Sequence, residues 1–173
     1  RRRRRPAGKA GKRPKGFVEK ENAERRGRPQ TGLRIIENAR SFVGMKINAT
    51  HISAVAVNAI GQIITGCHDL EIEDTSPQAV VALIKQLTID CSDEAEMAGW
   101  PKPCAVGISL GGHIVDNAVV TFAPFMHWSQ PVELSAMVRE ATGLPTGIYN
   151  DIDSLVVDAC MFGSGVGLGS FAV

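Results

Sequence analysis

From residue 33 onward the chain alternates between short runs rich in Val and Ile and polar breaks at Asn, Gly or Thr. Residues 33–36, 41–48, 51–58 and 62–67 read as four consecutive strands. Gly61 marks a tight connection between the last two. The period then changes. Ser76 and Pro77 open a helix, the serine as cap and the proline at the first helical position, and Val80, Ile84 and Leu87 give it one apolar face. Residues 90–103 are acidic, end in Trp100-Pro101-Lys102-Pro103, and read as a loop anchored by Trp100.

Residues 104–110 are continuously apolar, as expected of a strand covered on both faces. Residues 119–123 are a further extended piece. Pro131 starts the next helix, with Leu134, Met137, Val138 and Ala141 on one side and Gly143 as its stop. Residues 146–149 form a strand, and Asn150 or Asp151 caps a helix whose apolar face is Ile152, Leu155, Val156 and Ala159. Phe171-Ala172-Val173 looks like the start of one more strand. Strands first, then alternating helix and strand, predict an α/β layer fold with a mixed sheet and no internal repeat.

Residues 1–15 intersperse Pro, Gly and Ala with cations, have no apolar period, and are expected to be disordered without a partner. Charge divides the chain. Residues 1–40 hold 15 Lys/Arg against 4 Asp/Glu, a balance of +11; residues 41–173 hold 4 against 14, a balance of −10. The head suits phosphate neutralisation and the body repels it. Arg26-Gly27-Arg28-Pro29 has the shape of a minor-groove reader or of a stiff linker. No apolar run reaches the roughly 18 residues of a membrane span. The four cysteines lack C-x-x-C spacing; Cys104 and Cys160 read as small core residues, and a reduced, cytoplasmic protein is expected.

Gly107-Ile108-Ser109 to Gly112, Ile114-Val115-Asp116, Ala123-Pro124 to Trp128, Thr142-Gly143-Leu144-Pro145 and Asn150-Asp151 follow one another in an order and spacing that resemble the ROK family of repressors, open reading frames and sugar kinases. The chain is most similar to the N-terminal part of ROK transcriptional regulators, in which a Gly-Arg-Pro segment joins a winged helix to the sensor. The resemblance implies an actin-like, ribonuclease-H-like lobe. It divides the chain into a basic tail, remnant wing and linker over residues 1–32 and a truncated first lobe of the sugar-sensing domain over residues 33–173. Gly16-Phe17-Val18-Glu19 resembles the last strand of a wing.

Actin-like kinases carry Asp-x-Gly-Gly-Thr between the first two strands. Its glycines admit phosphates to the backbone and its carboxylate helps hold a hydrated metal. This chain has Lys46-Ile47-Asn48-Ala49-Thr50 there, so only Thr50 matches and phosphoryl transfer is not expected. Asn150 and Asp151 match the family's polar pair, a ligand set for sugar hydroxyls; Asp151 alone reads equally as a helix cap. Gly111 and Gly112 either admit a sugar ring close to backbone or make an ordinary turn. The expected sugar site is therefore Asn150, Asp151, Gly111 and Gly112, and the expected DNA contacts are Arg25, Arg26 and Arg28. His113 reads as a surface turn residue and Trp128 as lobe packing. No metal site and no cofactor are expected, and Gly163 to Gly169 do not make a dinucleotide fingerprint. Expected partners are a sugar, DNA through the basic N-terminal region or a winged helix, and further copies of the full-length protein. The reading from another class is a ROK sugar kinase phosphorylating a hexose with ATP.

Overall fold

The computed structural model describes residues 17–22, 31–163 and 165–166. The basic run at residues 1–15, the candidate DNA contacts Arg25, Arg26 and Arg28, and Phe171-Ala172-Val173 lie outside the described residues.

Strand β1 (Val18–Asn22) pairs antiparallel with β2 (Thr31–Ile35), with Val18 opposite Ile35, as a separate two-stranded ribbon. The strand expected at residues 33–36 thus completes this ribbon instead of joining the main sheet. Phe17 ties the ribbon to the segment leading into the main sheet: its carbonyl accepts from Ile36 N at 2.9 Å, and the Arg40 guanidinium sits 5.0 Å from its ring centroid.

The main sheet begins with the β3 (Ser41–Ile47) and β4 (His51–Asn58) hairpin, and β5 (His68–Glu71) adds antiparallel to β4. Helix α1 (Pro77–Met97) crosses to β6 (Pro103–Leu110), which pairs parallel with β3. A small ribbon of β7 (His113–Val115) and β8 (Val119–Phe122) leads through a 3-10 turn (Pro124–Met126) and helix α2 (Leu134–Thr142) to β9 (Thr146–Asn150), parallel to β6. Helix α3 (Asp151–Met161) comes immediately after β9. The sheet order is β5-β4-β3-β6-β9, a mixed sheet with both parallel pairs at β6. Alternate residues from one sheet face (Met45, Ile47, Ile52, Ala54, Ile108, Ile148) form a buried core with Val80, Ile84 and Leu87 of α1 and Leu134 and Val138 of α2. Each of these side chains larger than alanine contributes about 1.5–3 kcal/mol by leaving water.

Several sequence expectations differ from the structure. Residues 62–67 are not a strand: Asn58 Oδ1 accepts from Ile60 N and Gln62 N and curls the chain through Gly61 (φ 80°), so only Ile63 bridges back to Val57. Residues 90–97 are not a loop, because Cys91 and Ala95 continue the buried stripe of α1 and Gly99 (φ 87°) is where the chain turns away. Helix α2 begins at Leu134, since Val132 still exchanges both backbone hydrogen bonds with Val120. The face of Ile152 and Leu155 is not buried: they are 55% and 50% exposed, and α3 holds no buried residue. Of the cysteines, Cys91 is the one in the core, whereas Cys104 is half-buried and Cys160 exposed.

Candidate functional site

Leu110 and Asn150 lie opposite each other at the carboxyl ends of the parallel strands β6 and β9. That register brings the residues just beyond them, Gly111-Gly112 and Asp151, to one edge of the sheet, where open α/β sheets place ligands. The four residues singled out in the sequence therefore come together.

Asn150 is the N-cap of α3. Its Oδ1 accepts from Ile152 N at 2.8 Å, and its Nδ2 donates to the Gly112 carbonyl at 2.6 Å. Both ends of this amide are thus engaged in holding α3 against the Gly111-Gly112 turn, with one N–H and one lone pair left over. Asp151 is half-buried. Its Oδ1 accepts from Ile152 N at 3.0 Å, and among the described residues Oδ2 has no hydrogen-bond partner. A Cβ built on Gly111 would lie 3.4 Å from that Oδ2 and 3.2 Å from the Phe125 ring, so the glycine leaves room beside the carboxylate. Gly112 is constrained differently: a Cβ there would lie 2.3 Å from the Phe122 carbonyl oxygen, so no other residue fits without moving backbone. The arrangement is an open carboxylate oxygen at a helix start, a bare backbone beside it, and an aromatic ring closing one side.

The hairpin between β3 and β4 carries a feature that sequence reasoning missed. Asn48 Oδ1 accepts from Thr50 N at 2.9 Å, Thr50 Oγ1 at 3.3 Å and His51 N at 2.8 Å. The side chain folds over its own turn and takes the amides there. An Asx turn is legible in an Asn two residues before Thr, but so is an ordinary tip. Lys46, where the kinase motif has its carboxylate, is exposed.

His113 is exposed, with Nδ1 2.6 Å from Thr121 Oγ1. Trp128 is half-buried and donates from Nε1 to the Thr75 carbonyl at 2.6 Å. Sequence reasoning also missed a hydrogen-bonded pair joining positions 26 apart: His68 Nε2 lies 2.7 Å from Glu94 Oε2, and Glu94 Oε1 accepts from Gly66 N at 2.9 Å. The Gly66 N–H, and then His68, hold the Glu94 carboxyl below its ordinary pKa. Among the described residues no His, Cys, Asp and Glu side chains cluster as a metal site. No helix among them is long and apolar enough to cross a membrane.

The mixed sheet, its helices and the polar pair at the strand ends define an actin-like, ribonuclease-H-like lobe. No family profile and no curated protein matches the chain. Among solved structures it is similar to a ROK family glucokinase from Streptomyces griseus in complex with glucose and AMPPNP, with 28% identity over 73% of this chain and 38% of that one and a TM-score of 0.64. A ROK family transcriptional regulator, described as a homologue of the E. coli MLC protein, matches at 19% identity over 84% of this chain and 37% of that one, with a TM-score of 0.64. The ROK hexokinase from Thermus thermophilus matches at 18% identity over 69% and 38%, with a TM-score of 0.60. The chain thus spans little more than a third of the length of these structures. Its structural neighbours are ROK proteins, and it carries the N-terminal part of the ROK fold.

Proposed function

We propose that this chain is the linker and first sensor lobe of a sugar-responsive ROK-type transcriptional regulator, which binds a sugar without phosphorylating it. The observation that carries this reading is the β3–β4 hairpin. The Thr50 and His51 amides, which a phosphate oxygen would need, already donate to Asn48, and Lys46 replaces the metal-supporting carboxylate. Beside this occupied hairpin the Asn150–Asp151 pair keeps an open carboxylate oxygen for sugar hydroxyls, with Gly111 leaving the ring room to approach. On this reading residues 1–32 are the basic tail, remnant wing and linker, and residues 33–173 are the truncated first lobe. Arg25, Arg26 and Arg28 then contact DNA phosphates beside a winged helix, and the full-length protein works as a homo-oligomer in the cytoplasm. Sugar binding acts by favouring one of two arrangements that differ in DNA affinity.

The rival is a ROK sugar kinase, favoured by the 28% identity with the glucokinase. Two measurements on the full-length protein separate them. Calorimetric titration with a panel of hexoses is expected to show binding that weakens about 10–100-fold in Asp151→Ala, the loss of hydrogen bonds to a charged group. Coupled ADP release with ATP, magnesium and the same sugars is expected to show no turnover. Sugar-dependent ADP release abolished by Asp151→Ala would replace the regulator with the kinase.

A further inference from the structure

We propose that the lobe carries a second saccharide site, away from Asp151, which seats a neutral sugar ring against Trp128. A cavity of about 620 Å³ opens between the start of α1 and the segment joining the 3-10 turn to α2. That volume suits a mono- or disaccharide, within the roughly 300–1,000 Å³ usual for small-ligand sites. Trp128, His127, Gln78, Gln130 and Glu133 line it, together with Asp74.

The lining is specific in its chemistry. The single polar atom of the indole is spent on the Thr75 carbonyl, so the surface that half-buried Trp128 still offers is apolar ring. That bond also pins the ring to the start of α1. The residue before it, His127, sits in the left-handed region (φ 55°) at the end of the 3-10 turn, an uncommon conformation for a residue other than glycine. The side chains of Gln78, Gln130 and Glu133 are exposed and make no hydrogen bond among the described residues. Asp74 is already committed to Ser76, accepting from its N at 2.7 Å and its Oγ at 2.9 Å.

A sugar ring presents one apolar C–H face and a rim of hydroxyls. A pinned aromatic ring in one cavity with two free amides and a carboxylate, which between them donate and accept, is complementary to both. No Lys or Arg among the described residues lines the cavity, while two carboxylates do, so a sugar phosphate or nucleotide is disfavoured. The site does not share residues with the Asn150–Asp151 pair. The 3-10 turn stands between them, with Phe125 against Gly111 on one side and Met126 lining the cavity on the other.

The test is titration of the whole chain with glucose, maltose, glucose 6-phosphate and choline, following tryptophan emission and calorimetric stoichiometry. A saturable emission change is expected with glucose or maltose, retained in Asp151→Ala, weakened at least ~5-fold in Gln130→Ala/Glu133→Ala, and absent in Trp128→Leu. Glucose 6-phosphate and choline are expected to be weaker by a similar factor. The exposed Gln130 and Glu133 keep the test valid if Trp128→Leu misfolds. No saturable change with any of the sugars up to about 100 mM, against a Kd scale on which 1 mM is already weak, overturns the proposal. So does a response lost in Asp151→Ala, or one as strong for choline. A response kept in Asp151→Ala when no second binding event exists for that variant to lose supports this site and removes the sugar role of Asp151.

Discussion

Replacing Gly112 by alanine drives a methyl group onto the Phe122 carbonyl. The new Cβ would lie 2.3 Å from that oxygen, 3.3 Å from its carbon and 3.4 Å from Ala123 Cα, all backbone atoms that cannot rotate away. The turn must shift, at about 1–3 kcal/mol for overpacking. The shift also displaces the Gly112 carbonyl from Asn150 Nδ2, now 2.6 Å away, losing about 1 kcal/mol more. The sum is about 2–4 kcal/mol. With a urea dependence of about 2 kcal/mol per M, the unfolding midpoint should fall by about 1–2 M. Gly107→Ala is the control: a Cβ there meets nothing within 4 Å, so its midpoint should stay level or rise by up to about 0.5 M through reduced unfolded-chain entropy. A Gly112→Ala midpoint within 0.2 M of the parent, roughly 0.4 kcal/mol, would refute the close approach and with it the tie between α3 and this turn.

Three other regions give measurable outcomes. Asn48→Ala removes the acceptor of the Thr50 and His51 amides, and thermal unfolding should show a loss of about 1–2 kcal/mol, while added pyrophosphate should protect those freed amides from hydrogen exchange. Glu94 has a folded pKa below its ordinary 4.5, so its stabilising effect is fully present above that pH and is lost as the pH falls through the lower folded value. The protection of the Gly66 amide from exchange, relative to the unfolded chain, should therefore fall as the pH drops below the ordinary Glu value, and His68→Ala should move that loss to higher pH. Cys91 is buried and its thiol is pushed up to about 11, first by burial and then by Asp90 and Glu94, so alkylation at pH 8 should spare it in the folded protein. Exposed Cys67, raised by burial and by Asp69, should react and be slowed by that carboxylate; Cys91 modified at the rate of Cys67 would contradict the packing of α1.

Where one residue's surroundings are local, the chain was readable. Ser76-Pro77 starts α1 as expected, Gly143 (φ 72°) closes α2, and Asn150 caps α3. The ends of elements were less so. The acidic side of α1 past Asp90 imitates a loop, and only Cys91 and Ala95, four residues apart on the buried stripe, show otherwise. The apolar residues of α3 predicted a buried face that the described residues do not cover. At the site, Asn150 and Asp151 were singled out by the resemblance to the ROK family together with their place at a strand-to-helix junction, and the register of β6 and β9 brings them to Gly111 and Gly112. The Asn48 fold-over was legible only as one of two turn readings, since it depends on a rotamer, and the His68–Glu94 pair was not legible, since it needs two elements to meet across 26 positions.

The hydrogen bond from Trp128 to Thr75 joins chain positions 53 apart. Its two ends sit on opposite sides of α1, β6 and the β7–β8 ribbon in chain order, so the clasp forms when those intervening pieces have docked. With Trp100 replaced by Phe, indole emission at position 128 is therefore expected to report when these pieces have docked, trailing the far-ultraviolet signal of α1 in refolding.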